Sequence, residues 1–567
     1  MFINGHAHIF TLQSVLSRHA ITIMAGRLRR MGLHDFIVDA VEELLDAQLD
    51  RPEYLVEDEL LVRFMRAIAR SASFQNLAAS VQLPVEVRLL SGAADQLEVR
   101  AMRAALDRLS SWIDSNDGPG KSPFDVFETL RIAMQPTIPR VADKLLAHLG
   151  PDDAIVALMM DIVAENESDR DRRNFLGQIR GTTDAVLARP GRVLPFIAVN
   201  PHRADHFDIM RRAIEEQGFV GVKLYPSLGY EMNTPAIRNV IAYCRTEDVP
   251  ITIHCTATGF ARDAESAGYS HPKHWLDLFT APGDTLRVCF AHCGGWGGFC
   301  GEEADQIEWA ETILSYMDEH PNVFADLSYH VEMMALGGAA ETAYFTALKE
   351  LLAGPHAHRI IFGTDSWLVR LNIDDAAYWS YFRTMCTPAE FALLAGTTPR
   401  RFLGIPATGA PAAANIARHI EFLERHADQV GSAPAQWVRD LSTATWSITR
   451  GDSTWSRNNY AHVAAYNYFK TQIPPRLRGT GFDDCGLLRL RQLDYFGSGA
   501  RPSDTKLKGV SRNLMTQCEA YGGIAEGSYT SGSIQPLLIQ LLADGDRALA
   551  DVGGSLDAFY LFAPEIA

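Results

Sequence analysis

Short apolar runs, each ending in a polar residue or a turn signal, recur along the first 405 residues. They cover positions 1–4 and then, after a long gap, 155–160, 193–199, 220–224, 251–253, 286–291, 323–327 and 360–363. Runs this short and this uniformly apolar read as strands buried on both faces, the pattern of a parallel sheet. From the second run onward their starts fall 27 to 38 residues apart, room each time for one helix and two loops. The intervening stretches carry helical periodicity. Residues 207–217 place Ile209, Met210, Ala213 and Ile214 on one face and stop at Gly218, while Thr234-Pro235 opens a segment with Ile237, Val240, Ile241 and Tyr243 on one side. Thr387-Pro388-Ala389-Glu390 has the form of a capping box. Strands alternating with helices predict an α/β fold, and eight of them a closed TIM-like (β/α)8 barrel. A doubly wound open sheet is the rival, but it gives no reason for chemical residues to gather at so many strand ends.

Two regions break the alternation. Residues 14–150 are rich in Leu, Ala, Arg and Glu, with helical periodicity at 39–48 and 60–70. They read as a large helical insertion in the first strand–helix loop, on the face where barrels build their sites; a separate helical domain is the alternative. After Ile405 a Pro/Ala/Gly-rich linker leads into a mainly helical C-terminal extension with segments at 416–429, 459–471 and 534–549. The expected organisation is therefore a barrel over 1–405 and an extension over 406–567, which carries no chemical motif.

Composition narrows the function. With 47% hydrophobic and 21% charged residues, the 567-residue chain has the mix of an ordinary globular protein. A net charge of −17 argues against general nucleic-acid binding, which needs a basic face. No apolar run approaches the ~18 residues that span a bilayer, and the N-terminus lacks a basic region followed by an apolar one. The eight cysteines (Cys244, Cys255, Cys289, Cys293, Cys300, Cys386, Cys485 and Cys518) are too sparse for a disulfide scaffold and lack zinc-knuckle spacing. A cytoplasmic location is the expectation. The partner expected is a small-molecule substrate, with no nucleic acid and no membrane; a homo-oligomer is left open.

The chemistry lies at the ends of the apolar runs. His6 and His8, two apart on the first strand, project to one face and could chelate one ion. His254 ends the fifth strand, His292 the sixth and Asp365 the eighth. Singly, a histidine after a strand is more often a hydrogen-bonded core residue. Together, four histidines and an aspartate at corresponding positions of four strands suit zinc or a related transition metal. Asp161, Tyr225, Trp296, Asp326, His330 and Trp367 follow strands or sit in rim loops, and each reads equally as a cap or packing residue. The run Gly294-Gly295-Trp296-Gly297-Gly298 lacks a following Lys-Ser/Thr, so it is no nucleotide P-loop.

Gly5-His6-Ala7-His8, Gly221-Val222-Lys223-Leu224-Tyr225-Pro226, Thr252-Ile253-His254, Ala291-His292-Cys293-Gly294-Gly295, residues 322–328 and Phe362-Gly363-Thr364-Asp365 appear in the order expected of one family. Over residues 1 to about 405 the chain resembles the amidohydrolase superfamily, and within it the amidohydrolase 2 branch of metal-dependent hydrolases and nonoxidative decarboxylases. The insertion is longer than that branch leads one to expect, and Thr397-Thr398-Pro399-Arg400-Arg401 replaces its usual Asn-Ala pair. The resemblance implies a divalent metal, zinc first and manganese or iron as alternatives, as one ion or two. It implies His6, His8, His254 and Asp365 as ligands, with Asp365 orienting the nucleophilic water and carrying its proton. His292 would be a ligand of a second ion or a base at the bound water or substrate. Lys223 would either be carboxylated and bridge two ions or face the substrate, beside Tyr225, Asp161, Trp296 and His330. The reaction implied is hydrolysis of an amide, lactone, ester or related bond, with nonoxidative decarboxylation as the alternative. From another class comes a non-catalytic binding or scaffold protein on a barrel.

Overall fold

The computed structural model of the chain describes residues 1–442 apart from 51–54, 118–121, 165, 280–283, 302, 408–409 and 432. The helices expected at 459–471 and 534–549 lie outside the described residues. Eight parallel strands run in sequence order: β1 (Ile3–Ala7), β2 (Ala154–Leu158), β3 (Val193–Val199), β4 (Gly221–Leu224), β5 (Ile251–Thr256), β6 (Val288–Gly294), β7 (Val323–Asp326) and β8 (Ile360–Ile361). The sheet closes on itself where β8 meets β1. There Gly5 N donates to Phe362 O at 2.9 Å, Asp365 N donates to His6 O at 2.9 Å, and Ala7 bridges to Ser366. This close approach needs a glycine, because a Cβ on Gly363 would lie 2.6 Å from that of His6. The predicted TIM barrel is the observed architecture.

The strand ends differ from the sequence expectation in one informative way. The apolar runs stop before the histidines, whereas β1, β5 and β6 continue through His6, His254 and His292. Backbone pairing does not depend on side-chain polarity, and His254 is in register with Ala291 of the neighbouring strand. The histidines are therefore interior residues of the strands, not the first residues of loops. Helices Asp169–Ala188, His206–Glu216, Pro235–Thr246, Ala304–Glu319 and Gly338–Ala353 link later strands, and Asp375–Met385 follows β8. Thr234 caps the third of these, accepting from Ile237 N, and Thr387 and Glu390 form the predicted capping box. Between β5 and β6 the described residues form two 3-10 segments, Ser266–Ser270 and Pro272–Leu278, in place of an α-helix. Gly268 and Pro272 punctuate that stretch too closely for an α-helix to propagate.

The insertion between β1 and β2 is a helical layer with its own core. It comprises α1 (Arg18–Arg30), α2 (Asp35–Asp50), α3 (Glu57–Arg70), α4 (Ala72–Ser80), α5 (Val85–Ala93), α6 (Val99–Asp117), α7 (Pro123–Ala133) and α8 (Ile138–Leu146). Phe36, Phe64, Phe74 and Phe127 are buried within it, and Phe64 stacks on Phe127 at 6.3 Å. Each such ring contributes about 1.5–3 kcal/mol of burial. Surface pairs such as Arg103–Glu57 (2.8 Å) add little beside that.

The chain divides into two units. The first comprises Met1–Val186, Gly191–Phe422 and Pro434–Leu441, and so takes in the barrel, the insertion and residues past 405; the second comprises Leu187–Pro190, Leu423–Ala433 and Ser442–Ala567. In the first, Asn415 donates to Val220 O (2.8 Å) and Leu403 O (3.0 Å). In the second, Gly431 N donates to Leu187 O at 3.0 Å. Among the described residues no helix is long and apolar enough to cross a membrane.

Candidate active site

His6 of β1 and His8, just past its end, both reach the Asp365 carboxylate. Their Nε2 atoms lie 3.4 Å and 3.1 Å from Asp365 Oδ1. His254 and His292 meet from neighbouring strands, with His292 Nε2 3.2 Å from His254 Nδ1. The donors of His6, His292 and Asp365 all fall within 4.8 Å of one another. The five residues named from strand ends are thus brought together. His292 and Asp365 both adopt left-handed backbone, with φ of 64° and 61°. A non-glycine residue there carries roughly 1–2 kcal/mol of strain, and the hydrogen bonds around each residue hold it in place.

What fixes each ring is a partner on its far nitrogen. His6 Nδ1 donates to Asp326 Oδ2 at 2.9 Å and His8 Nδ1 to Leu158 O at 2.9 Å. His254 Nε2 donates to Thr258 O at 3.0 Å and His292 Nδ1 to Ser328 O at 3.1 Å. These acceptors place the N–H on the outer nitrogen of every ring, so a neutral ring turns its lone pair inward. Burial lowers the pKa of His8, carries that of His254 well down and that of His292 to about 3, keeping these rings neutral. Burial opposes ionisation of Asp365; the surrounding imidazoles, when protonated, outweigh it and hold the carboxyl well below the usual range, and with the rings neutral a cation among them would do the same.

The result is an assembly of acceptors without a donor. The inward lone pairs of His254 and His292 face each other, those of His6 and His8 face a carboxylate, and Asp365 Oδ1 is buried without a hydrogen bond. Such an arrangement is costly unless a cation sits among the lone pairs. Imidazoles oriented through their second nitrogen, with a nearby carboxylate, are the donor set of a zinc-type divalent metal. The residues present fit that ion.

Asp326, one of the weaker sequence candidates, proves central to this orientation. It is fully buried and accepts from His6 Nδ1, His292 N (3.0 Å), Ser328 N (3.0 Å) and the Ser328 hydroxyl. Ser328, which sequence reasoning did not single out, also contacts His6 Nδ1 at 3.0 Å and His292 Nδ1 at 2.9 Å.

A cavity of about 150 Å³ opens over these residues, the size that admits a benzene-sized ring in other proteins. Tyr225, Trp296 and His330 line it. The Tyr225 ring stacks on His254 at 3.9 Å and its hydroxyl accepts from Phe260 N at 3.0 Å. His330 is held at both nitrogens, by Tyr344 Oη (2.8 Å) and His292 O (2.8 Å), and burial lowers its pKa to about 4. Lys223 and Asp161 do not line it. The Lys223 ammonium lies inside the barrel without a hydrogen bond, its pKa drawn down to about 8 by burial against the pull of Asp326 and Asp365. Asp161 is occupied by Arg203, with Nε–Oδ2 and Nη2–Oδ1 both at 2.7 Å. Trp367 is buried beside the cavity with its indole donating to Phe10 O at 3.1 Å. The insertion supplies a lining residue that the sequence did not reveal, Arg27 of α1. It sits in an arginine-rich helix in which nothing marks it from its neighbours.

Residues 147–405 match a family model described as amidohydrolase (Amidohydro_2). No curated protein matches the chain. Among solved structures, the chain is similar to a probable 2-pyrone-4,6-dicarboxylic acid hydrolase from Acinetobacter baumannii with bound citric acid (14% identity, 46% of this chain and 88% of that one, TM-score 0.33). It is also similar to 2,6-dihydroxybenzoate decarboxylase from Rhizobium (19% identity, 46% and 86%, TM-score 0.33). A third is a dihydroxybenzoic acid decarboxylase from Polaromonas sp. JS666 with bound manganese and the inhibitor 2-nitroresorcinol (16% identity, 52% and 93%, TM-score 0.35).

Proposed function

Residues 147–405 belong to the amidohydrolase family, and from that premise we propose that the chain is a metal-dependent hydrolase cleaving an amide, lactone, ester or related bond of a small molecule. The observation that carries this reading is the donor-free cluster of inward lone pairs at His6, His8, His254, His292 and Asp365. His6, His8, His254 and Asp365 would hold the ion, with zinc the first choice and manganese or iron the alternatives. When bound, a divalent ion supplies Lewis acidity, polarising a substrate oxygen and making water acidic enough to ionise near neutrality.

The chain's own residues account for the rest. Asp326, Leu158 O and Thr258 O keep the imidazoles of His6, His8 and His254 facing inward. Asp365, kept ionised at neutral pH, takes the proton from the nucleophilic water and returns it to the leaving group. His292, tied through Nδ1 to Ser328, turns Nε2 towards the reacting centre as an acceptor. Tyr225, Trp296 and His330 form the walls against which the substrate lies. One ion is favoured over two because Lys223, the residue that would bridge a pair, does not line the cavity.

Nonoxidative decarboxylation is the second reading. It is favoured by Arg27, a cation in the cavity to which an acid substrate would be drawn. Elemental analysis of protein purified without added metal tests the common premise: about one equivalent, lost in His254→Ala, is expected, and metal-free wild-type protein that takes up neither zinc nor manganese would sink it. Water incorporated into product without carbon dioxide release selects hydrolysis. Stoichiometric carbon dioxide selects the alternative.

A further inference from the structure

Gly259 sits where the loop after β5 comes back over the histidine cluster. A Cβ there would lie 2.6 Å from His254 Nε2 and 2.7 Å from Tyr225 Oη, and its φ of 109° is one that side chains rarely adopt. The approach therefore needs a glycine, and a glycine leaves the peptides on either side of it free to turn. That freedom bears on the site, because the peptide before Gly259 carries Thr258 O, the acceptor that holds the outer nitrogen of His254 at 3.0 Å. After Gly259 the loop is tied to the barrel: Phe260 N donates to Tyr225 Oη at 3.0 Å and Ser227 Oγ donates to Phe260 O at 2.8 Å. Before it, Ala257 and Thr258 are exposed, and Thr258 N donates across 3.4 Å to Thr256 Oγ1. The hold on Gly259 itself comes from the insertion. Arg30, in the last turn of α1, donates from Nη2 to Gly259 O at 3.0 Å, and Arg27, one turn earlier, lies 5.3 Å over the Phe260 ring.

We propose that Arg30 is a positioning residue for the metal centre: it pins the peptide after Gly259, so that Thr258 O stays aimed at His254 and the Nδ1 lone pair of that ring stays turned inward. This rests on the proposed metal-dependent chemistry, in which His254 is a ligand, and holds for either reaction type. Close packing against His254 demands a glycine, the glycine loosens the loop, and Arg30 restores what the glycine gives up. The charge of Arg30 works the other way, since a cation by itself disfavours a second cation nearby. Its hold on the backbone and its direct electrostatic effect on the ion therefore have opposite signs. The helical insertion thereby acquires a role: it steadies a metal ligand from outside the barrel.

The test compares full-length Arg30→Met, Arg30→Lys and Arg29→Met with wild type. Zinc affinity, measured by competition with a chelator, should fall roughly three- to tenfold in Arg30→Met, short of the roughly 10- to 100-fold lost with a ligand's direct partner. Arg30→Lys, which can still donate to Gly259 O, should regain most of it. Arg29→Met removes an equal charge from the same turn, but from a surface pair with Glu42 (2.6 Å), and should leave affinity unchanged. In metal-free protein, amide hydrogen exchange over residues 257–260 should quicken in Arg30→Met and not in Arg29→Met. Unchanged or tighter zinc binding in Arg30→Met overturns the proposal, tighter binding being the mark of charge alone. So does unchanged exchange, an equal loss of affinity in Arg29→Met, or a loss that Arg30→Lys does not relieve. A purely structural Arg30 would lower the melting temperature without moving zinc affinity, which also overturns it. Wild-type protein that takes up no metal defeats the metal-dependent reading, and this proposal with it, and shows before any variant is compared; a loaded wild type with unchanged affinity in Arg30→Met defeats this proposal alone.

Discussion

Asp161 and Arg203, at the ends of β2 and β3, are buried as deeply as the histidine cluster: 4% and 3% exposed, against 1% for His6 and 4% for Asp365. The two groups of charged and polar side chains share a barrel and a rim, and burial alone does not tell them apart. Their partners do. Both Asp161 carboxylate oxygens accept from Arg203, whose remaining N–H groups reach Glu167 and Asp171 O (3.4 Å) while its face covers Phe175 at 4.2 Å. That cluster is closed and needs nothing further. Around Asp365 the inward ring nitrogens are all acceptors, Oδ1 is left without a hydrogen bond among the described residues, and a cation held among them would complete the set. A saturated buried cluster is architecture, and an unsaturated one made of inward lone pairs is a site.

Removing a proton carrier should separate the two most sharply. Asp365→Asn keeps the shape of the carboxylate and its backbone bond to His6 O, but an amide cannot accept the proton. Turnover is expected to fall by about 10²- to 10⁴-fold while much of the metal remains, read by steady-state kinetics beside elemental analysis. Unchanged turnover would remove Asp365 from the proton path.

Arg203→Met should do the reverse. It leaves Asp161 buried and uncompensated, at an expected loss of about 3–5 kcal/mol, measured by urea unfolding. Metal content and the acidity of the site should not change. If Arg203→Met instead strips the metal, the two clusters are coupled and the distinction drawn from their partners fails. Replacing Asp161 and Arg203 together with apolar residues should recover most of the stability, because no lone charge is then left in the barrel.

The same contrast explains how far the sequence could be read. Strand periodicity carried the barrel, since parallel strands buried on both faces leave uninterrupted apolar runs, and the run at 193–199 coincides with β3. It also located His6, His8, His254, His292 and Asp365, because chemistry in this architecture gathers where those runs end. Asp161 ends its run in the same way, and nothing in the chain order shows that Arg203, 42 positions later, will neutralise it. Arg27 was invisible for the opposite reason: it lies on a helix of the insertion, where position relative to the barrel is a matter of tertiary packing alone. Between β5 and β6 local punctuation by Gly268 and Pro272 overrode the expected helix.

Asp326 sits between the two clusters in character, saturated itself yet serving the unsaturated one, and its substitution gives the smallest and most discriminating effect. As a carboxylate it only accepts, and five donors converge on it: His6 Nδ1, His292 N, Ser328 N, Ser328 Oγ and, at 3.9 Å, Cys289 Sγ. Burial opposes its charge, but His6 and its other partners hold the carboxyl well below the ordinary range. In Asp326→Asn one oxygen becomes an NH₂ group, which cannot accept, so at least one of those donors must face another donor. Where the amide nitrogen turns to His6, the ring loses the acceptor that fixes its Nδ1–H and its lone pair no longer points reliably at Asp365. Where it turns the other way, the charge that raises the basicity of the His6 ring is still gone. Either orientation weakens the ion's hold through one ligand of several, and the expected cost is about 10- to 100-fold in metal affinity, measured by competition with a chelator. Asp326→Asn supplemented with excess metal should regain most of its turnover, which Asp365→Asn should not. Equal affinity in Asp326→Asn and wild type would mean that backbone position alone orients His6, and that the carboxylate serves the fold in the manner of Asp161.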